Sequence, residues 1–265
     1  MSSAGQDDQG ALEAAGAAAE REGLGRYCGT YRAAGVDARR PIVEGAVTGV
    51  GVVAAVPGFV FGAAEVGIIG TTVAVVCGAR CLADLGWLGF VGARNRGTRL
   101  DLYERGFVAG YRGQLRAVRY DSTTLRRKVV HAVKNPAAHQ ISYQYTISDI
   151  DDVPIVLRQG IERPQEWTLA IEQGILDAQL PRAEAALAAG ERVEFDSLWL
   201  SATEIGSGSE SVPWARVSEL SVVGGWLSVK VRDCSQPLES LPISLVPNYV
   251  VFRTLAERLQ AAAAR

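Results

Sequence analysis

Hydrophobic positions along this chain fall into distinct regimes. From Gly45 to Ala64 the sequence reads GAVTGVGVVAAVPGFVFGAA, without a charged residue. That matches the roughly twenty residues a helix needs to cross a hydrocarbon layer about 30 Å thick. Glu65 interrupts the run, and a second apolar stretch, Val66 to Val91, contains Arg80 and Asp84. Each charge would cost about 2.5–3.5 kcal/mol at mid-membrane. Two arrangements relieve that cost. Arg80 and Asp84 are four apart and pair on one helix face; or the span ends near Leu82, with Arg80 snorkelling to the interface and Trp87 at headgroup depth. The pattern predicts a helical hairpin over 41–93, read as transmembrane with Gly45–Ala64 the cleaner span. A packed hairpin of a soluble protein is the alternative.

After residue 98 the period shortens. Leu100–Tyr103, Phe107–Tyr111, Leu115–Tyr120, Leu125–Val133, Ile141–Ile147 and Val153–Leu157 read as strands, punctuated by Gly106, Gly113, Asn135-Pro136 and Asp149–Asp152. A helix with Pro164 in its first turn follows, its apolar side formed by Trp167, Leu169, Ile171, Ile175 and Leu176. Pro181 predicts the start of a second helix ending at Gly190. From Val193 short strands resume, through Phe195, Leu198, Leu200, Ile205 and Val212, then Val217–Val223 and Trp226–Val231. A last helix starts at Asn248, read as its N-cap, and runs through Val251, Leu255 and Leu259.

The two halves superpose as patterns. Leu100-x-Leu102-x4-Phe107 matches Leu198-x-Leu200-x4-Ile205, and the next hairpin ends in an aromatic in each, Tyr120 or Trp214. This predicts an α+β chain in which a bent antiparallel sheet closed by a C-terminal helix is used twice. That is the architecture of pleckstrin-homology-like (PH-like) folds; a generic β-roll with a helix is the alternative. The expected organisation is a flexible acidic Ala/Gly-rich tail (1–38), the transmembrane hairpin (41–93), a first PH-like module (98–190) and a second (191–263). The acids Asp7, Asp8, Glu13, Glu20 and Glu22 argue against a secretory signal in the tail, and helix there is expected only transiently, around Ala11–Glu22.

Several strings also resemble an uncharacterised family of actinobacterial membrane proteins. They are Leu102-Tyr103-Glu104-Arg105-Gly106-Phe107-Val108, Leu180-Pro181-Arg182-Ala183, the Ala-rich stretch into Gly190-Glu191, Pro213-Trp214 and Val246-Pro247-Asn248. The resemblance covers residues 40–262 and implies two N-terminal transmembrane segments before cytoplasmic β-rich domains. It brings no activity. This chain departs from that pattern in its second span, which carries Arg80 and Asp84.

Composition narrows the function classes. Of 265 residues, 48% are apolar and 21% charged, the balance of a folded chain. The net charge of −2 gives no argument for nucleic-acid binding. Cys28, Cys77, Cys81 and Cys234 fit no disulfide or zinc spacing and read as free thiols in a reducing compartment. Gly49-Val50-Gly51-Val52-Val53-Ala54 matches a dinucleotide fingerprint, but Pro57 falls inside the helix it requires and no acid follows about 20 residues on. His131 and His139 have no Cys or acid partners for a metal. Ser148–Asp152 and Gly206-Ser207-Gly208-Ser209 read as hairpin tips. No catalytic grouping emerges, so no enzyme activity, metal or cofactor is expected.

Charge is unevenly placed. Between Arg94 and Lys134 lie eleven Lys and Arg against three acids, a surplus of +8 in a chain whose total is −2. Arg32, Arg39 and Arg40 precede the apolar block, and Arg94, Arg96 and Arg99 follow it. The positive-inside rule then predicts a multi-pass cell-membrane protein with both termini cytoplasmic. Basic residues beside an anionic leaflet are worth about 1 kcal/mol each. Arg94, Arg96, Arg99, Arg112, Arg116, Arg126, Arg127 and Lys128 are accordingly the candidate membrane-surface contacts. The expected function is a membrane-anchored, non-catalytic binding or scaffold protein with an unidentified protein partner. An anionic-lipid-recognising module and a soluble interaction protein with a buried apolar hairpin are the alternatives.

Overall fold

The structure is a computed structural model that describes residues 3–34, 39–60, 64–94, 98–111, 114–132, 140–148, 154–157 and 161–264. It is α+β, with five α-helices and four small antiparallel sheets among the described residues. Helix α1 (Ser3–Arg21) and strand β1 (Tyr27–Arg32) precede two long helices, α2 (Arg39–Val60) and α3 (Ala64–Arg94). Strands β2 (Arg99–Tyr103), β3 (Gly106–Tyr111) and β4 (Gln114–Arg119) follow, then β5 (Thr124–Ala132), β6 (Gln140–Ser148) and β7 (Pro154–Leu157), and helix α4 (Pro164–Ala188). The remainder comprises β8 (Val193–Phe195), β9 (Leu198–Leu200), β10 (Glu204–Ser207), β11 (Glu210–Pro213), β12 (Val217–Val223), β13 (Trp226–Val231), β14 (Glu239–Pro242) and helix α5 (Tyr249–Ala263). Two compact units result. One joins residues 1–32, 99–110 and 114–265, and the other contains Ala33–Thr98.

In the first unit one arrangement occurs twice: a four-stranded sheet, a three-stranded sheet and a helix. The sheets are β1-β2-β3-β4 and β5-β6-β7 before α4, and β8-β9-β10-β11 and β12-β13-β14 before α5. Register confirms the correspondence. Leu102 faces Phe107 across β2 and β3, as Leu200 faces Ile205 across β9 and β10. Tyr31 faces Leu100 across β1 and β2, as Phe195 faces Leu198 across β8 and β9. Strand β1 is therefore the counterpart of β8, and the first repeat starts at Tyr27 rather than at residue 98. In the second repeat Asp196 and Ser197 alone link the first two strands, with Asp196 at φ 65°. In the first repeat that link is Ala33–Thr98, which holds both long helices.

The expected flexible tail over 1–38 is thus replaced by α1 and β1. Ala15, Ala18, Ala19 and Leu24 pack on Tyr103 and Val108, sealing the outer face of the first sheet. The Leu102–Val108 string makes that packing possible. Leu102 and Phe107 point into the main core, Tyr103 and Val108 point to α1, and Glu104 pairs with Arg26 at 2.8 Å. Gly106 has no room for a side chain, since a Cβ there would lie 2.1 Å from the Val118 carbonyl oxygen. The second repeat covers its outer face differently. Trp199 lies flat over Gly206, whose Cβ would fall 2.1 Å from the indole, and the Arg192 guanidinium sits 3.9 Å from the indole centroid.

The expected division at 190/191 does not separate two cores. One hydrophobic cluster runs from Leu100, Phe107 and Trp167 in the first repeat to Leu200, Trp214 and Phe252 in the second. Each closing helix is entered through a left-handed residue, Arg163 at φ 49° and Asn248 at φ 48°. Ile161 and Val246 are buried just before these residues, and Trp167 and Phe252 just after. Pro181 does not start a new helix. Α4 is continuous through it, because Ile175 and Gln179 before it and Leu187 after it are all buried, offsetting the roughly 3 kcal/mol an interior proline costs.

Asn248 makes no side-chain cap to its own helix. Its Oδ1 accepts from the Leu125 backbone N–H at 2.7 Å, and its Nδ2 donates to the Thr123 carbonyl and to Gln179 Oε1 at 3.1 and 2.8 Å. Gln179, buried on α4, donates to the Tyr120 and Thr123 carbonyls at 2.7 and 2.9 Å. This polar knot binds the β4–β5 connection and α4 to the start of α5. Removing it with Asn248→Ala strands a backbone N–H and the Gln179 carbonyl. We expect a loss of about 3 kcal/mol, measured as a lower urea midpoint with an unchanged slope.

Candidate membrane interface

Helices α2 and α3 form an antiparallel hairpin whose packing reverses that of a water-soluble helix pair. The buried positions on their seam are small: Gly51, Ala55, Gly67 and Gly70. A Cβ at Gly70 would lie 2.7 Å from the Ala55 nitrogen, and one at Gly51 would lie 2.9 Å from the Gly70 carbonyl oxygen. Thr48 meets Gly78, and Gly45 meets the Cys81 sulfur, extending the close approach toward the start of α2. The spacing Gly51-x3-Ala55 and Gly70-x3-Ala74 is the small-residue pattern that lets helix backbones touch. The large apolar side chains point outward instead. Val50, Val53 and Val60 on α2 and Ile69, Leu82 and Trp87 on α3 are all at least 64% exposed.

Polar groups in the hairpin are handled locally. Thr48, Thr71 and Thr72 donate to the carbonyls of Glu44, Gly67 and Ile68, each four residues back on its own helix, at 2.7–2.9 Å. Arg80 reaches Glu44 at 3.5 Å, a pairing across the two helices that spacing along one helix did not anticipate. The pair lies beside the start of α2. The Ala33 N–H donates to the Thr98 carbonyl at 3.1 Å, so the hairpin's two ends meet.

Glu65–Phe90 of α3 is long and apolar enough to cross a bilayer, and Arg80 and Asp84 do not disqualify it. The apolar stretch of α2, Ile42–Pro57, is shorter and reaches about 24 Å at 1.5 Å per residue. By that test one helix qualifies among the described residues, not two.

Three of the candidate basic contacts, Arg99, Arg126 and Arg127, lie against carboxylates. Arg99 is buried, with its Nε and Nη2 donating to both oxygens of Asp101 at 2.7 and 2.8 Å. Arg126 and Arg127 are successive on β5 and face opposite ways. Arg126 donates to the Leu245 carbonyl at 2.9 Å and to Asp196 at 3.2 Å, and Arg127 donates to Glu172 at 3.1 Å. Arg116 is half-buried on β4, Lys128 lies opposite Gln144, and Arg94 ends α3. Arg96 and Arg112 lie outside the described residues, as do His139 and Asp149–Asp152.

Two features were not anticipated. Arg119 donates to Asp121 and to the Glu22 carbonyl, joining α1 to β4, and its hydrogen bond holds the Asp121 carboxyl below the usual carboxylate range. A polar cleft of about 580 Å³ is lined by Gln9, Leu12, Tyr27, Thr30, Arg32, Arg99 and Glu162. In it Tyr27 donates to Thr30, and Thr30 donates to the buried Asp101. Among the described residues no three His, Cys, Asp or Glu side chains are placed to hold a metal ion.

The fold and the inverted hairpin describe an α+β protein with an apolar helical insertion. The chain belongs to a family of unknown function, DUF6585, whose model matches residues 1–265. No curated protein and no solved structure matches it.

The seam yields a direct test. Cysteine at Gly45 would face Cys81, because a Cβ there lies 3.6 Å from the Cys81 sulfur. Gly45→Cys should therefore form an oxidative crosslink with Cys81, read as loss of free thiol by mass spectrometry. Adding Gly70→Leu overpacks the seam at a cost of about 1–3 kcal/mol and should lower the yield by about tenfold.

Proposed function

We propose that this protein is a membrane-anchored, non-catalytic binding or scaffold protein. In this reading the α2–α3 hairpin enters the bilayer and the two-repeat unit is held at its surface. One observation supports it above the others: the hairpin buries glycine and alanine and exposes valine, isoleucine and leucine. Water penalises that arrangement, and lipid does not. Because the ends of the hairpin meet, it returns to the side it entered from, which keeps both termini on one side. The arginines flanking the hairpin favour the cytoplasmic side. Each repeat, four strands, three strands and a closing helix, is read as PH-like, a platform that suits binding a protein partner.

The exposure of the hairpin's large side chains favours this reading over a soluble protein with a buried hairpin. Selective recognition of anionic lipid by the arginines is weakened, since Arg99, Arg126 and Arg127 each face a carboxylate.

Sodium carbonate extraction of membranes expressing the full chain tests the anchor. The protein is expected in the pellet. A variant in which Ala33–Thr98 is replaced by Asp-Ser, the link used in the second repeat, is expected in the supernatant with a single cooperative unfolding transition. Full-length chain released by carbonate would refute the anchor.

A further inference from the structure

The hairpin of β12 and β13 ends in Val222-Val223-Gly224-Gly225-Trp226. Gly224 and Gly225 have φ of 60° and 84°, the two left-handed positions of a tight type I′ turn. The turn carries apolar side chains into solvent. Val223 is 76% exposed and Trp226 53%, and they face each other across the ribbon. Val222, next in the strand and so on the opposite ribbon face, is 44% exposed. Leu245, half-exposed, lies beside the tip, because the Ile243 N–H donates to the Gly225 carbonyl at 2.9 Å.

We propose that this tip is a second membrane contact, dipping into the headgroup and upper acyl region of the bilayer that holds the hairpin. The inference rests on the membrane-anchored reading. Val222 lines a cavity with Leu227 and Phe252 on the core face, so the free apolar surface is the turn itself, too small for a stable protein interface and sufficient for shallow insertion into a fluid layer. Tryptophan beside small apolar residues is the composition favoured at that depth. Charge contributes little, since Lys230 is paired with Glu219 at 2.8 Å and Glu239 lies on the neighbouring strand. Arg126, which holds the Leu245 carbonyl, is itself matched by Asp196. Insertion is therefore driven by apolar burial and is insensitive to salt.

Full-length protein is reconstituted into phosphatidylcholine vesicles containing acyl-brominated lipid, which quenches tryptophan at short range. Trp167, Trp199 and Trp214 are buried, at 5% exposure or less, leaving Trp87 of the hairpin and Trp226 as the reporters. Expected is a loss of part of the quenching in Trp226→Phe, a loss of a different part in Trp87→Phe, and near-complete loss in the double variant, all unchanged in molar salt. Quenching that Trp87→Phe reduces and Trp226→Phe leaves intact overturns the tip contact alone; the tip then lies in water or against protein. Quenching by Trp226 that disappears in molar salt overturns apolar insertion. No quenching in the wild type overturns the anchor, and the tip with it.

Discussion

Strand β1 must return to β2. Their antiparallel pairing, from Tyr27 opposite Tyr103 to Arg32 opposite Arg99, fixes where the chain leaves the first sheet and where it re-enters. Whatever lies between has to come back to its starting point: Asp196 and Ser197 do so in the second repeat, and the antiparallel α2–α3 pair does so here. The same pairing makes β1 the first strand of a repeat, matched to β8, and brings α1 against the sheet through Leu24. Without it the residues before Arg99 would be an appendage. With it they complete the first sheet.

Energetics then separate the hairpin from the rest of the molecule. Among the described residues between Ile42 and Phe90, seventeen large apolar side chains are exposed. Burying such a side chain contributes about 1.5–3 kcal/mol, so even partial exposure leaves on the order of 20 kcal/mol unrealised in water. That exceeds the whole stability of a typical domain, about 5–15 kcal/mol. Small residues in the seam cannot recover it by burial. What they gain is close van der Waals contact and short backbone approaches, at Gly51 and Gly70 above all. These interactions keep their value where there is no water to exclude.

The β-rich repeats were legible because each strand carries its own alternating pattern, and the Leu-x-Leu-x4 spacing marks paired core positions. The hairpin was legible because a long uncharged run has few soluble uses. Strand β1 was hidden because its partner lies more than sixty residues away and Tyr27–Arg32 alternates weakly. The α1 sequence reads as loose because Ala and Gly supply little apolar area, yet that smallness lets Ala15 and Ala19 pack against Tyr103 and Val108. At Asn248 the helix start was placed correctly, but the cap was assigned from sequence habit. Its side chain serves Thr123, Leu125 and Gln179, from 69 to 125 positions earlier, which no local pattern encodes.

The basic surplus after the hairpin is the last case, and it shows how net charge along a sequence differs from charge on a surface. Arg126 reaches Asp196 in the turn between β8 and β9, and Arg258 on α5 reaches Glu184 on α4. Each pair joins one repeat to the other. Arg99 and Arg119 are taken up within the first repeat by Asp101 and Asp121. Within the basic segment, Arg126 and Arg127 are thus matched by acids outside it, Asp196 and Glu172. Exposed pairs of this kind add little stability, about 0–1 kcal/mol each. They do lower the field available to attract an anionic leaflet, because each cation meets its counter-charge before the protein meets lipid. In the membrane-anchored reading proposed above, attachment would therefore rest on the apolar elements, and the flanking arginines would bear on orientation rather than on adhesion.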